Sequence, residues 1–169
     1  MFLAIWMVQR LTREINDLQK YAMMATNRLS NHQKYAGRLG GSSVLGLNNV
    51  AGLSSELLPR ASMFAQFSDQ ASSMSAMQNL QALKMMGRVP VTGNPATQMQ
   101  LEFSAFRQFK EEALKSLKQQ EIAKMNEIEK EIQLELNSIE QKLKIKEKQL
   151  DTYKQLADKQ VDNMVPKFG

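Results

Sequence analysis

The sequence has no cysteine, one histidine and one tryptophan among its 169 residues. Without cysteine there is no disulfide, no thiolate zinc site and no cysteine nucleophile. A catalytic histidine needs a nucleophile and an orienting carboxylate beside it. His32 is flanked by Asn31 and Gln33, which supply neither, and it reads as a solvated residue near a helix end. No Glu-x-x-His pair occurs, so the carboxylate-bridged di-metal site of helical bundles has no ligand set. Glu111 and Glu112 read instead as a solvated face near the start of a long helix. The glycines from Gly37 to Gly46 lack both the Gly-Lys-Ser/Thr ending of a phosphate loop and a Gly-x-Gly-x-x-Gly fingerprint. The expectation is a protein that is not an enzyme, with no cofactor and no metal.

Long apolar runs are also missing. Met1 to Val8 is apolar, but eight residues cannot cross a bilayer as a helix. Positive charge follows this stretch, at Arg10 and Arg13, rather than preceding it, and no small-residue cleavage site comes after. The end therefore reads as the start of a helix in a chain made in the cytosol without a cleaved signal peptide. An alternative is shallow insertion of this end into a membrane, for which Phe2 and Trp6 are suited.

Charge is unevenly placed. The net charge is +5, and residues 1–96 hold nine Lys/Arg against four Asp/Glu, while residues 97–169 hold thirteen of each. A cationic surface binds phosphates without sequence preference, so contact with nucleic acid is a second alternative. The nine cations are dispersed, without interleaved aromatics or a recognition motif.

What the sequence does have is helical rhythm. In residues 3–36, Val8, Leu11, Ile15, Leu18, Ala22, Ala25 and Leu29 step by three and four in strict alternation. That is the 3.5-residue repeat of a packed helical seam. Gly37, Gly40 and Gly41 are expected to stop this helix. Residues 37–55 hold five of the eight glycines and read as a loop-like connection. Its apolar Val44, Leu45, Leu47, Val50 and Leu53 imply that it folds against something. Residues 56–86 read as a second helix, whose amphipathic face is Phe64, Phe67, Ala71, Met74, Met77 and Gln81, widened by Leu80, Leu83 and Met86. The twelve methionines of the chain read as helix core. Gly87, Pro90, Gly93 and Pro95 then make a short loop.

The remainder, from Ala96 to Val165, has neither proline nor glycine. Leu114, Leu117, Met125, Ile128, Ile132, Leu136, Ile139, Leu143, Leu150 and Tyr153 form its stripe, which Glu121 and Lys146 interrupt. A helix over 96–162 would be roughly 100 Å long at 1.5 Å per residue, against ~30–40 Å across a globule of this size. Such a helix must project, lie along a partner, or break and fold back.

The expected fold is all-α and extended: a coiled-coil-like N-terminal helix (1–36), a Gly-rich connection (37–55), a second helix with its loop (56–95) and a long C-terminal helix (96–165). The first and last helices are expected to pair, within the chain or between chains. The interface residues expected are Val8, Leu11, Ile15, Leu18, Ile128, Ile132, Leu136, Ile139 and Leu143. The function expected is a structural or scaffold subunit of a large assembly, such as a phage virion or a bacterial secretion or flagellar machine. Its partners would be further copies or other subunits.

Two stretches, FAQFS at 64–68 and NLQALKMMGRVPVTGN at 79–94, resemble the N-terminal region of flagellar hook-cap scaffolding proteins. They cover a small part of the chain, and their spacing is shorter than that family's. A long helix stands where that family has a β-rich domain, so no residue role is carried over.

Overall fold

The computed structural model describes residues 2–41 and 53–162. The fold is all-α, with three helices: α1 (Phe2–Gly40), α2 (Leu57–Met85) and α3 (Pro95–Asp162). The described residues include no strand. The apolar connection residues Val44, Leu45, Leu47 and Val50, and the tail from residue 163 onward, lie outside the described residues.

Two helix ends have a local cause, and a third passes its expected stop. α1 does not stop at Gly37 but runs on to Gly40. The three-four rhythm continues past Leu29 through His32, Ala36 and Leu39. Tyr35 and Leu39 are buried beside it, and burying two large side chains outweighs the ~1 kcal/mol that one exposed helical glycine costs. α2 ends on Gly87, whose φ is +66°. The Gly87 N–H donates to the Lys84 carbonyl and the Arg88 N–H to the Leu83 carbonyl, the paired closure that glycine just past a helix end permits. α3 begins at Pro95, one residue before the expected start. Proline fits there because the first helical N–H has no partner to lose, and the Asn94 side chain accepts from the Ala96 N–H at 3.0 Å.

The chain divides into two compact units. The first joins Met1–Ser30 to Glu129–Gly169. Here α1 and α3 run antiparallel: Glu14 pairs with Lys146 at 2.7 Å and Arg28 with Glu135 at 3.6 Å, so one number rises as the other falls. Leu11, Ile15, Ala25, Ile132 and Ile139 are buried.

The second unit is Asn31–Ile128. α2 lies antiparallel to the early part of α3, tied by Arg60–Glu121, Asp69–Lys110 and Lys84–Glu102. Its core is Tyr35, Leu39, Leu53, Leu57, Ala61 and Met125, with Phe64, Ile122 and Ile128 packed on it. α3 itself is one unbroken helix of 68 residues.

Two expectations about packing are corrected. α2 buries Leu57, Ala61, Ser68, Ser72 and Ala76, not the apolar face expected of it. Phe64, Ala71, Leu80 and Leu83 are half-buried, whereas Phe67, Met74, Met77, Gln81 and Met86 are exposed. Small side chains let the α2 backbone come close to α3, and the methionines and Phe67 are left outside. The methionines follow the same logic: of the ten among the described residues eight are exposed, and Met125 alone is buried.

Gly37 and Gly87 respond to substitution in opposite directions. Neither has an atom within 4 Å of where a Cβ would stand. Gly37→Ala removes a helix-interior glycine and should raise stability by about 0.5–1 kcal/mol. Gly87→Ala places a side chain in the left-handed region and should lower it by about 1–2 kcal/mol. Urea denaturation followed by circular dichroism measures both, and equal signs would contradict these helix ends.

Candidate functional site

Two features of the second unit rise above ordinary packing. The first is a polar centre in its core. Arg60 Nε donates to Glu121 Oε1 at 2.6 Å, and the Glu121 side chain is only 9% exposed. Glu121 interrupts the apolar stripe of α3, so its burial demands a cation, which α2 supplies. Tyr35 lies in the same core, with a buried hydroxyl that has no hydrogen-bond partner of good geometry. Burial, and secondarily the negative charge of Glu121, push its pKa up to about 12. A groove of about 540 Å³ opens beside the ion pair, lined by Pro59, Arg60, Met63, Phe64 and Phe67 among others.

Lys146 is the other charge that interrupts the stripe, and it is answered in the same way within the first unit. It binds Glu14, which also accepts from Arg10 at 2.8 Å. These two cations hold the Glu14 carboxyl below its ordinary value, Lys146 more strongly than Arg10.

The second feature is the outer face of α2. At 100° per residue, Met63, Phe67, Gln70, Met74, Met77, Gln81 and Met85 lie within about 40° of one line along the helix. The buried Ala61, Ser68, Ser72 and Ala76 lie on the opposite side. The five large apolar members of this stripe are 58–89% exposed. α2 carries three charged side chains, Arg60, Asp69 and Lys84, and each is engaged by α3. The stripe itself therefore presents methionine, phenylalanine and glutamine without a charge. Past its end, Met86, Val91, Met99 and Phe103 are also exposed.

The expected interface residues lie on the inward seams of α1 and α3. Leu11, Ile15, Ile132 and Ile139 are buried, and Val8, Leu18, Ile128, Leu136 and Leu143 are half-buried. The chain's own helices cover the first four and leave the other five partly exposed. His32 is corrected as well. It is buried, because α1 continues beyond it and carries it on the same seam as Leu39. Among the described residues no group of three or more His, Asp or Glu is placed to hold a metal ion. No described helix is long and apolar enough to cross a membrane. Of the nine N-terminal cations, Arg10, Lys20, Arg28, Arg60 and Lys84 are already paired with carboxylates. Trp6 is about half exposed, with the Arg10 guanidinium 5.5 Å from its ring centre.

Four residues of the outer stripe, Phe67, Met74, Met77 and Gln81, belong to the apolar face that the sequence predicts for α2, but they face outward. The stripe's four-three rhythm starts at Met63, whereas the face expected there started at Phe64. Both begin in the same turn, and only the burial of the alanines and serines separates them. Compared with known proteins, the chain matches no family model, and no curated protein or solved structure is similar to it. The flagellar hook-cap resemblance gains no support from this.

Two measurements test the polar centre. Arg60→Met leaves Glu121 buried without a cation and should cost about 2–4 kcal/mol, while Arg60→Met with Glu121→Leu should recover most of that loss. Equal losses in the single and double variants would mean that the pair is not what holds α2 to α3. For Tyr35 the neutral form is the one the fold stabilises. Stability should hold below pH ~10 and fall as pH rises toward 12. Tyr35→Phe should remove that alkaline loss and change stability at pH 7 by less than about 1 kcal/mol, since the contact of its hydroxyl with Glu121 is weak. Denaturation midpoints from pH 8 to 12 read this directly.

Proposed function

We propose that this chain is a structural subunit of a larger multi-chain assembly, with a non-enzymatic role carried by helix packing. The observation that carries this reading is the balance of apolar surface. Among the described residues twenty large hydrophobic side chains are exposed, against nine buried ones once four alanines are set aside. Scattered exposed hydrophobics are ordinary in any protein. Aligned ones, on a helix face from which charge is absent, mark a surface that meets another protein. The buried seam residues then serve to hold the chain in shape, and its outer faces to join neighbours.

The methionines support the same reading. Eight exposed methionines give a soft, polarisable surface that repacks against a neighbouring helix at small cost. The assembly classes that suit such a subunit are a virion part or a component of a secretion or flagellar machine.

Light scattering after size exclusion, with helicity followed by circular dichroism, tests this. The expected result is a helical oligomer whose mass falls on dilution. A helical monomer that persists to about 100 µM would refute self-assembly.

A further inference from the structure

We propose that the outer face of α2 is the surface through which two copies of this chain join, antiparallel, about a two-fold axis passing between Met74 and Met77. The inference rests on the assembly reading above and names its contact surface.

The stripe has the spacing of a helix–helix seam. From Met63 it steps four, three, four, three and four residues, to Phe67, Gln70, Met74, Met77 and Gln81. A 3.5-residue repeat keeps one face of a helix against one partner helix over many turns. The first unit shows what this chain does with such a rhythm: α1 uses it to bury Leu11, Ile15 and Ala25. On α2 the same rhythm faces outward.

Charge argues for a second copy as the occupant. Two molecules of net charge +5 repel one another at most contacts. The α2 stripe holds no ionisable group, and the three charges of α2 are neutralised by Glu121, Lys110 and Glu102. A partner chosen by opposite charge would find nothing on this stripe to recognise. A copy finds its own composition.

The area is sufficient. Taking about 200 Å² for a fully exposed large side chain, the five apolar residues expose roughly 600–700 Å² per copy. Two copies would bury roughly 1,200–1,400 Å², within the range of specific interfaces.

Polar pairing sets direction and register. Gln70 and Gln81 would be buried at the contact and need partners. In the antiparallel register with Met74 opposite Met77, each Gln70 faces a Gln81 of the other copy, and Phe67 reaches Met85. Amide meets amide, and thioether meets thioether or aromatic ring. A parallel pairing would set Arg60 against Arg60 and Lys84 against Lys84 along the flanks. It would also align the two helix dipoles. Both effects favour the antiparallel arrangement.

The chain lacks cysteine, so introduced thiols report unambiguously. Gln70→Cys and Gln81→Cys chains, each alone, should give no disulfide-linked dimer, because like positions stand about 16 Å apart along the axis. Mixed and oxidised, they should give the heterodimer. Separately, Met74→Glu should weaken association by about 100-fold or more. It should leave helicity and the melting of the monomer unchanged, because Met74 is exposed in the single chain. Self-linking of either single-cysteine chain would overturn the antiparallel register. Undiminished association of Met74→Glu would overturn the surface while leaving the assembly reading intact. A wild-type chain that stays monomeric at about 100 µM would overturn both.

Discussion

The Arg60–Glu121 pair is the interaction on which the second unit depends. Glu121 lies where α3 faces its neighbours, and a carboxylate in that position cannot stay charged among apolar side chains without a counterion. Meeting it requires α2 to approach with one particular turn of its surface, the one bearing Arg60. Once that turn is fixed, the helical period fixes the rest: Ala61, Ser68, Ser72 and Ala76 face inward, and Asp69 and Lys84 come within reach of Lys110 and Glu102. A buried ion pair adds little net stability compared with an apolar replacement, but it penalises every alternative rotation of the helix. Its effect here is on which faces meet. Lys146 acts on the same principle within the first unit, where Glu14 is the group that answers it.

That constraint explains the inverted character of α2. A helix usually turns its largest apolar side chains to the core. α2 turns its alanines and serines inward instead, because small residues allow the backbone approach that brings Arg60 onto Glu121. Serine is tolerated there since its hydroxyl bonds to its own helix: Ser68 donates to the Ala65 carbonyl and Ser72 to the Asp69 carbonyl. Apart from the buried Leu57 and the half-buried Phe64, Leu80 and Leu83, the larger side chains are then left outside. Their exposure is thus a consequence of how the core closes, and it leaves the surface from which assembly is proposed.

The parts of this fold legible from sequence are those set by local rules. Three helices follow from periodicity and from the proline and glycine positions, and Gly87 marks the end of α2 because a left-handed residue is needed there. The seam of α1 was legible up to Leu29. Its continuation through His32, Ala36 and Leu39 is hidden by Gly37, whose helix-breaking tendency is local and readable, whereas the burial that overrides it is not. Glu121 and Lys146 could be seen as flaws in a stripe, but their partners, 61 and 132 residues away in the chain, could not. The inner face of α2 was illegible for a related reason: hydrophobicity alone favours the methionine side, and the contacts that turn it outward, the ion pairs with α3 among them, are distant in the chain.

The choice of methionine on the outer face follows from the demands on an exposed seam. Leucine or isoleucine at 63, 74, 77 and 85 would bind a partner helix more rigidly, but would also present stiff apolar surface to any collapsing chain before assembly. Methionine has three rotatable bonds and a polarisable sulfur, so it packs adequately against several shapes and loses more conformational freedom when fixed in one. Interspersed glutamines restrict the acceptable registers, since each must find a hydrogen-bond partner when water leaves. A seam built from these two residue types is weak per residue and selective in alignment. That combination suits contacts that form reversibly, where an incorrectly placed subunit must be able to leave before others lock it in.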